Sequence, residues 1–349
     1  MSDNNIFFPG KIKHDILRKM FKNYVSDLRI HDKRIIIGSE IGEDAAVIST
    51  NEDQLLVVKT DPITFTSDLI GYYAVNVNVN DVVCTGAKPK WFLSTILLPE
   101  IKTTYELIES IFKEIHDTCQ SMNITVIGGH TEITEGLNRP IVVGTLIGEV
   151  DHDKLVKTSG AEKGDLLVLT KGIFIEGTSI IAREKENILE KEGFDKKFIE
   201  KCKNYIFNPG ISVYKEAFLV NQHFKIKAMH DPTEGGLFMG IAEIAIASNL
   251  GVIVDKREIP IYSEAKELSE RFNLNPYGTI TSGSLLIVIE EKDAEILIDF
   301  LIKNNIFAAK IGKFIEKEKG FFLNEGGGKI TPLNYSERDE ITKIFNNKK

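Results

Sequence analysis

Apolar residues along the first 150 positions recur at spacings that predict a run of helices and strands. Residues 11–25 place apolar side chains three or four positions apart, as on one face of a helix. The same reasoning predicts strands at 45–48, 55–59, 91–98, 124–127 and 141–147, and helices at 69–84 and 105–122. Polarity rises sharply from Glu149 to Asp153, so we expect two domains, 1–150 and 151–349.

The second half restarts the pattern in a different order. It predicts strands at 166–169, 226–229, 251–255, 285–290 and 307–311, with helices at 212–221, 236–248 and 293–303. The charged stretch 182–203 is typical of a solvated helix. Because strands and helices do not alternate strictly, the pattern favours an α+β fold over a doubly wound parallel sheet.

Composition narrows the functional classes. The 349-residue chain carries 43 Lys and Arg against 51 Asp and Glu, a net charge of −8, which argues against a general nucleic-acid-binding protein. Its longest apolar runs, such as 285–289, are far shorter than the ~18 residues that cross a bilayer. No export signal is readable, and the three cysteines form no CxxC pair. We therefore expect a soluble cytoplasmic protein with neither a nucleic-acid nor a membrane partner.

Five clusters of acidic residues, asparagines and glycines stand beside apolar runs, where stability alone would not select them. They are Gly42-Glu43-Asp44-Ala45-Ala46-Val47, Lys59-Thr60-Asp61-Pro62, the segment 73–84 with Asn76, Asn78, Asn80 and Asp81, Ile127-Gly128-Gly129-His130-Thr131-Glu132, and Met229-His230-Asp231-Pro232-Thr233-Glu234-Gly235-Gly236-Leu237. The first two also fit ordinary surface turns, in which Gly, Asp and Pro are common. The alternative is a binding site, because ligand-contacting side chains concentrate where strands end in loops.

The polar residues of segment 73–84 cover a wide arc of the predicted helix. One interpretation is a partly exposed helix whose polar residues face water. The other is a buried helix, in which an Asp or Asn without a partner costs about 1–3 kcal/mol. In that case the carboxylate of Asp81 would meet a cation or a bound polar ligand.

The pair Gly128 and Gly129 follows a predicted buried strand. The two glycines either form a hairpin bend or let another group approach the backbone closely. His130 comes next, and a single histidine is more often a hydrogen-bonded residue than a metal ligand. The pattern leaves both interpretations open.

The last cluster opens the helix predicted at 236–248. Asp231 as N-cap, with Pro232 at the first helical position and Glu234 after it, fits a capping box. A capping box does not explain Gly235 and Gly236, each of which costs up to about 1 kcal/mol in a helix relative to Ala. Exposed backbone N–H groups at a helix start would suit an anion such as phosphate.

Common nucleotide and hydrolase motifs are missing from the chain. Segment 172–179 follows a predicted strand and has two glycines five positions apart, but it lacks the lysine with which a P-loop reaches phosphates. The sequence also has no GxGxxG, GxSxG or HExxH.

Taken together and in this order, the clusters resemble the aminoimidazole ribonucleotide synthetase superfamily. This superfamily includes thiamine-monophosphate kinase, selenophosphate synthetase, formylglycinamidine ribonucleotide synthetase and the hydrogenase-maturation dehydratase. The resemblance spans Lys11 to Ile311 and includes 282–286 as a late glycine segment. It is strongest for the dehydratase branch, through Asn80-Asp-Val-Val-Cys-Thr-Gly-Ala-Lys-Pro89 and Asp231-Pro-Thr-Glu-Gly-Gly-Leu237.

The resemblance implies a homodimer, in which amino-terminal domains pair their sheets into a β-barrel and α+β carboxy-terminal domains lie outside. It also implies ATP, held through Mg²⁺ near the dimer interface, and a small-molecule substrate. The implied catalytic residues are Asp61, Asp81 and His130; the implied cofactor-binding residues are Gly42, Asp44, Thr60, Asn80, Gly128, Gly129, Asp231, Thr233, Gly235 and Gly236; and the implied metal ligands are Asp44, Asp61, Asp81 and Asp231. Carboxylate oxygens are the ligands that Mg²⁺ prefers.

Two departures limit what the resemblance implies. His130 stands where the dehydratase and the kinase have an acidic residue, so we expect a different metal-ligand set or a substituting Glu132. The dehydratase acts on a cysteine at its own carboxyl terminus, whereas the last cysteine here is Cys202. The first cysteine is Cys84, so the reactive amino-terminal residue of selenophosphate synthetase has no counterpart. We therefore expect no chemistry on the protein's own tail.

Three functions agree with these observations. The leading hypothesis is an ATP-dependent enzyme that phosphorylates an amide or carbonyl oxygen of a small molecule, which then leaves as phosphate. The second is phosphorylation of a phosphorylated alcohol, as in thiamine-monophosphate kinase, although that enzyme has a more Ser- and Asp-rich version of segment 231–236. The third is a nucleotide-binding maturation or regulatory factor with little turnover.

Overall fold

The computed structural model describes residues 12, 14–25, 32–38, 42–50, 53–64, 66–336 and 338–345. The elements of the first half are α1 (His14–Tyr24), β1 (Ile35–Ile37), β2 (Ala46–Ser49), β3 (Gln54–Ile63), α2 (Ile70–Cys84), β4 (Lys88–Pro99), α3 (Tyr105–Ser121), β5 (Thr125–Thr134) and β6 (Ile141–Asp151). Each helix and strand predicted for this half is present, although residues 11 and 13 of the first predicted helix lie outside the described residues.

Six strands of the first half form one sheet in the order β1-β2-β3-β6-β4-β5. Neighbouring strands are antiparallel except for β4 and β5, which are parallel. Alternate residues of β4, such as Phe92 and Ile96, are buried with apolar side chains of α2 and α3. The residues between them, such as Trp91 and Leu93, are half-buried. This sheet therefore has one face covered by helices and one open face.

The second half adds a larger mixed unit. Its elements are β7 (Leu166–Thr170), α4 (Ile175–Glu184), α5 (Glu186–Lys191), α6 (Lys196–Lys203), α7 (Tyr214–His223), β8 (Ala228–His230), α8 (Gly236–Ala247), β9 (Gly251–Asp255), α9 (Ser263–Arg271), β10 (Leu286–Ile289), α10 (Ala294–Lys303), β11 (Ala308–Ile315), β12 (Phe321–Gly326), β13 (Lys329–Pro332) and α11 (Thr342–Phe345). The strands form a sheet in the order β13-β12-β9-β11-β7-β10-β8. Only β9 and β12 pair in parallel among these described strands. The predicted α+β class is confirmed.

The two halves share a hydrophobic core. One cluster of buried side chains includes Val57 and Phe92 of the first sheet together with Ile287 and Leu301 of the second half. A second cluster lies within the second half, where α8 packs its apolar side chains against the other face of the second sheet. No helix in the described part of the chain is both long and apolar enough to span a bilayer.

Three local expectations are wrong. The strand predicted at 124–127 is not buried, since residues 125–133 of β5 are exposed. Strand β5 runs straight through Gly128 and Gly129, so these glycines form no hairpin bend. Helix α8 begins at Gly236 with Gly235 as its N-cap in the left-handed conformation, so Asp231 is not the N-cap. The reason is a turn before the helix, closed by the Gly236 N–H donating to the Thr233 carbonyl (3.0 Å).

The hydrophobic pattern did not predict several short elements, and it predicted one helix where the structure has three. The charged stretch 182–203 is helical in three pieces, the end of α4 followed by α5 and α6, which separate at Lys185 and at Gly193. Its buried residues Leu189, Ile199 and Cys202 anchor these short helices. The pattern also did not predict strands β1, β12 and β13 or helix α9. These strands are only three to six residues long and are stabilised by pairing, whereas α9 is largely polar and packs through Ala265 and Leu268.

Candidate functional site

Strand β3 carries the first charged side chains of the site. Because side chains alternate along a strand, Lys59 and Asp61 lie on the face that meets α2, whereas Thr60 lies on the open face. Lys59 Nζ lies 3.3 Å from Asp61 Oδ2 and 3.1 Å from Asp81 Oδ2 of α2. The Thr60 hydroxyl instead donates to the Gly144 carbonyl of β6 (2.9 Å). The structure therefore brings Asp61 and Asp81 together around one lysine.

The asparagine side chains of α2 are buried, and their amide groups hold this arrangement. The interpretation of α2 as a partly exposed helix whose polar residues face water is therefore wrong. Asn78 Oδ1 accepts a hydrogen bond from the Asp61 N–H (3.0 Å), which fixes β3 against the helix. Asn80 Nδ2 donates to the Ile211 carbonyl (2.8 Å), and its Oδ1 accepts from the Val213 N–H (2.9 Å). Asn80 thus ties α2 to the second half through its own polar atoms.

The turn before β2 brings a third carboxylate into the interior. Gly42 adopts a φ of 92°, in the region that favours glycine. Glu43 Oε1 accepts a hydrogen bond from the Ser159 hydroxyl (2.6 Å), which docks the turn on the second half. Asp44 is consequently 9% exposed. The alternative of an ordinary surface turn is therefore wrong.

The second half contributes a buried imidazole between two carboxylates. His230, the last residue of β8, has Nδ1 2.7 Å from Asp44 Oδ1 and Nε2 2.8 Å from Glu243 Oε2 of α8. Burial favours the neutral ring, but Asp44 and Glu243 together raise the pKa of His230 well above its usual value. The imidazolium therefore holds Asp44 in place and offsets part of its charge.

Asp231 and Cys84 lie beside Asp44. One ligand atom from each of these three residues lies within 4.8 Å of the others. The Cys84 thiol lies 3.7 Å from Asp231 Oδ1, whereas the buried Oδ2 has no hydrogen-bond partner among the described residues. Burial, together with Asp44, raises the pKa of Asp231 to about 7. Burial also raises the pKa of Cys84 well above its usual value, so this cysteine is a neutral thiol rather than a nucleophile.

Negative charge exceeds positive charge at this site. The acidic cluster, as we call it, consists of Asp44, Asp61, Asp81 and Asp231. Burial raises the pKa of Asp81 well above its usual value, although Lys59 opposes the shift and the other carboxylates of the cluster add to it. A divalent cation would compensate the excess charge, and carboxylate oxygens are hard ligands of the kind that Mg²⁺ prefers. The donor set, with Asp231 Oδ2 unpartnered, therefore fits Mg²⁺.

The paired glycines and His130 lie farther along the same sheet. Backbone register places Asp61, Gly144, Ser94 and Gly129 in one row across β3, β6, β4 and β5. With about 4.8 Å between strands, Gly129 is about 14 Å from Asp61. His130 is exposed on β5, where its Nε2 lies 3.0 Å from Glu132 Oε2. A ligand that touches both His130 and the acidic cluster of one chain would have to span this distance.

Close packing against other parts of the protein requires glycine at positions 235 and 236, where α8 begins. A Cβ on Gly235 would lie 2.6 Å from the Ser336 carbonyl oxygen, and one on Gly236 would lie 2.7 Å from the Thr279 nitrogen. The Gly235 N–H donates to Asp339 Oδ2 (2.7 Å). A carboxylate of the protein thus already satisfies the N–H group that could have bound a phosphate.

The sequence analysis assigned no role to four residues that shape the site. They are Lys59, His230, Glu243 and Asp339. Two of them left a signal: Lys59 shares a strand face with Asp61, and Glu243 is the one charged residue of the apolar helix α8. His230 pairs with Asp44 and Asp339 with Gly235, both far away in the sequence, so the local pattern gave no sign of their roles.

A cavity opens beside the acidic cluster, between the two halves of the chain. It has a volume of about 510 Å³, and its lining includes Asp61, Tyr73 and Arg139 from the first half and Glu176, Thr233 and Ser282 from the second. This volume accommodates a small organic molecule. Thr233, which the sequence assigned to the cofactor, lines this cavity.

Two family models cover most of the chain. Residues 42–150 match the AIR synthase related protein, N-terminal domain, and residues 162–323 match the AIR synthase related protein, C-terminal domain. The protein belongs to the AIR synthase related family. The expected relationship is thereby confirmed.

Relatives and solved structures agree with this family. A putative hydrogenase expression/formation protein of Methanocaldococcus jannaschii is 27% identical over 320 residues, which cover 90% of this chain and 91% of the relative. The crystal structure of the hydrogenase maturation protein HypE in complex with ATP has a TM-score of 0.70 at 18% identity, covering 94% of this chain and 96% of HypE. AaThiL complexed with AMPPCP and TMP has a TM-score of 0.69 at 18% identity, covering 92% of this chain and 98% of AaThiL. At these identities the two structural likenesses establish the fold.

Proposed function

We propose that this protein is an ATP-dependent enzyme that phosphorylates an amide or carbonyl oxygen of a small molecule. The observation that carries the proposal is the buried acidic cluster, drawn from both halves of the chain and held by Lys59 and His230. Two solved structures of the same fold, HypE and AaThiL, are complexes with ATP and AMPPCP, which supports nucleotide binding by this fold. The cavity beside Asp61 gives a substrate a place next to the transferring phosphate.

The acidic cluster would hold Mg²⁺, which neutralises the phosphate charges of ATP during transfer. Lys59 keeps Asp61 and Asp81 oriented from the strand side, and His230 keeps Asp44 oriented from the side of the second half. Asn78 fixes the backbone of Asp61 against α2. In-line phosphoryl transfer depends mainly on such positioning and on charge neutralisation.

The proposed reaction activates an oxygen that otherwise does not leave. The bond between the γ-phosphorus and the ADP oxygen breaks while a bond from phosphorus to the substrate oxygen forms. A nucleophile or an elimination then expels that oxygen as phosphate. An amide oxygen is a very poor leaving group until it carries phosphate, which is the chemical reason for consuming ATP.

Homodimerisation is part of the proposal. Strand β5 lies at the edge of the first sheet, and its residues Val126, Ile127 and Ile133 are exposed. The open face next to it carries half-buried apolar residues such as Trp91 and Leu93. Large contiguous apolar surfaces mark interfaces, and an exposed edge strand favours pairing with another chain. Pairing two such sheets would cover both features.

Calorimetry with Mg²⁺ and ATP tests the proposed function. The wild-type protein should bind ATP only with Mg²⁺ present. Asp61→Asn keeps the side-chain shape but removes a carboxylate, so it should weaken binding by about tenfold or more. Asp117→Asn, which changes an exposed carboxylate on α3, is the matched control and should bind as the wild type does. A wild-type protein that does not bind ATP with Mg²⁺ would show the proposal to be wrong.

A maturation or regulatory factor with little turnover is the second candidate. The relative described as a putative hydrogenase expression/formation protein favours it. Both candidates require ATP binding, so the measurement that separates them is steady-state ADP formation with small amides. Many turnovers per protein support the enzyme, whereas one or fewer support the factor. Phosphorylation of thiamine monophosphate in the same assay would instead support the kinase alternative.

A further inference from the structure

The cavity beside Asp61 is lined by groups of two kinds. Its walls include apolar side chains, among them Val77 and Ile280. Its polar lining comes from separate elements: Tyr73 from α2, Glu176 from α4, and Ser282 from the loop before β10. A pocket with apolar walls and a few converging polar groups is the usual form of a small-molecule site.

Three buried polar atoms of this lining make no hydrogen bond of full geometry. Tyr73 is 1% exposed, Glu176 is 5% exposed and Ser282 is 1% exposed. Within the part of the chain that the structure describes, the Tyr73 hydroxyl, Glu176 Oε2 and Ser282 Oγ make no hydrogen bond of ordinary geometry, although Ser282 lies close enough to Glu176, and Ser179 to Tyr73, to affect their pKa values. Each unsatisfied buried polar group costs about 1–3 kcal/mol. Three of them around one cavity indicate that the protein retains them for a molecule that enters it.

The charges of the lining residues indicate which charge and which hydrogen-bonding groups a bound molecule carries. Asp61, Glu176 and Glu234 are acidic, and Arg139 is the basic residue of the lining. Burial raises the pKa of Glu176 to about 7, although Ser282 opposes the shift, and the negative charges of Asp339 and Glu234 add to it. An ionised carboxylate only accepts hydrogen bonds. A group with N–H donors and a positive or zero charge therefore suits Glu176, and an anionic group does not.

We infer that Glu176 is a specificity-determining residue, which accepts N–H hydrogen bonds from the end of the substrate that enters this cavity. The inference rests on the proposed function, in which the cavity holds the phosphoryl acceptor. The substrate is then a small molecule that carries an amidine-like or amide-like N–H group there, while its reactive oxygen faces the acidic cluster. Tyr73 and Ser282 supply the additional hydrogen-bonding groups around it.

Three small probes of nearly the same shape test this inference. Acetamidine is cationic with N–H donors, acetamide is neutral with N–H donors, and acetate is anionic without them. Their binding to the nucleotide-free protein is measured by ligand-detected NMR titration at about pH 8, where most of Glu176 is ionised. Acetamidine and acetamide should bind, and acetate should bind about tenfold more weakly or not at all. Equal binding of all three probes would overturn the inference.

Glu176→Gln identifies the residue responsible. This variant keeps the side-chain shape but removes the charge, so acetamidine should bind about tenfold more weakly than to the wild type. Glu190→Gln, which changes an exposed residue of α5, is the matched control and should bind acetamidine as the wild type does. Unchanged acetamidine binding by folded Glu176→Gln would overturn the inference. The ranking of the three probes on the wild-type protein decides the matter even if the variant fails to fold.

A parallel titration with Mg²⁺ and ATP separates the inference from the proposed function. Glu176→Gln should bind ATP as the wild type does, since Glu176 lies outside the acidic cluster. If ATP binds but the wild-type protein does not discriminate among the probes, the inference is wrong and the proposed function stands. If the wild-type protein binds acetamidine and acetamide more tightly than acetate but does not bind ATP, the cavity is a binding site as inferred, and the proposed phosphoryl transfer is wrong.

Discussion

Buried ionisable side chains dominate the chemistry of this protein at the scale of the residue. Asp81 lies against Lys59, and His230 lies between Asp44 and Glu243, so part of the negative charge of the site is compensated within the protein. Glu176 differs, because the nearby charges that most affect its pKa are those of Asp339 and Glu234, which have the same sign. The protonation of its carboxyl group therefore affects the stability of the folded state directly.

The stability of the protein should depend on the protonation of Glu176. Its pKa is raised from 4.5 to about 7 in the folded state, so the folded protein holds a proton that the unfolded chain has already lost between these values. The contribution of Glu176 is therefore most favourable below about pH 4.5 and declines by up to about 3 kcal/mol as pH rises to about 7. Glu176→Gln removes this decline.

Urea denaturation at about pH 5 and about pH 8 measures the effect. Relative to the wild type, Glu176→Gln should be more stable at the higher pH than at the lower pH. Comparing the two differences cancels the contributions of Asp81, Asp231 and other titrating groups. Glu190→Gln should show the same pH dependence as the wild type. A Glu176→Gln variant whose stability changes with pH in parallel with the wild type would show that the raised pKa is wrong.

At the scale of the element, β5 shows why a glycine pair can lie within a strand. A Cβ on Gly129 would lie 2.1 Å from the Ser94 carbonyl oxygen of β4, whereas the nearest atom to a Cβ on Gly128 would be 3.9 Å away. The two strands also slip register between Phe92 and Leu93, where β5 accommodates an extra residue. Gly129 is thus required by the close approach of the neighbouring strand.

Alanine substitutions at the two glycines should differ in effect. Gly129→Ala forces β4 and β5 apart and should lower the free energy of unfolding by about 2 kcal/mol or more. Gly128→Ala meets no nearby atom and strains only its own φ of 158°, so the loss should be about 1 kcal/mol or less. Chemical denaturation of both variants gives the comparison. Equal losses would mean that β4 does not approach β5 as closely as the structure shows.

At the scale of the whole molecule, the exposed edge strand and the open sheet face bear on assembly. Ile127 is 52% exposed on β5, and a lysine there would place a charge on the proposed dimer surface. Ile127→Lys should weaken the dimer by about tenfold or more in sedimentation experiments. Ile296→Lys changes an isoleucine on α10 that is 62% exposed and lies outside the first sheet, so it should leave the dimer intact. A wild-type monomer at micromolar concentration would contradict the dimer itself.

The candidate site is built from residues of both halves of the chain, so it depends on the whole molecule. Asp61 and Asp81 come from the first half, Asp231 comes from the second, and Asp44 lies on a turn that docks against the second half through Glu43. Asn80 adds a buried hydrogen-bonded connection between the halves. A stable relative position of the two halves is therefore a condition for the site, and the shared core supplies it.

The sequence by itself determined the α+β class and most helices and strands, because these depend on local periodicity. The four aspartates of the acidic cluster stood out as unusual residues beside apolar runs, and their selection as one ligand set came from the resemblance to the family. Only the tertiary structure decided that the Thr60 hydroxyl donates to the Gly144 carbonyl, that Asn80 ties the two halves together, and that Asp339 accepts a hydrogen bond from Gly235. Each depends on a partner distant in the sequence. The imidazolium of His230 and the cavity at Glu176 likewise exist only where the halves meet. Local spacing specifies elements, whereas the environment of a buried charge is set by whichever side chains the completed fold packs around it.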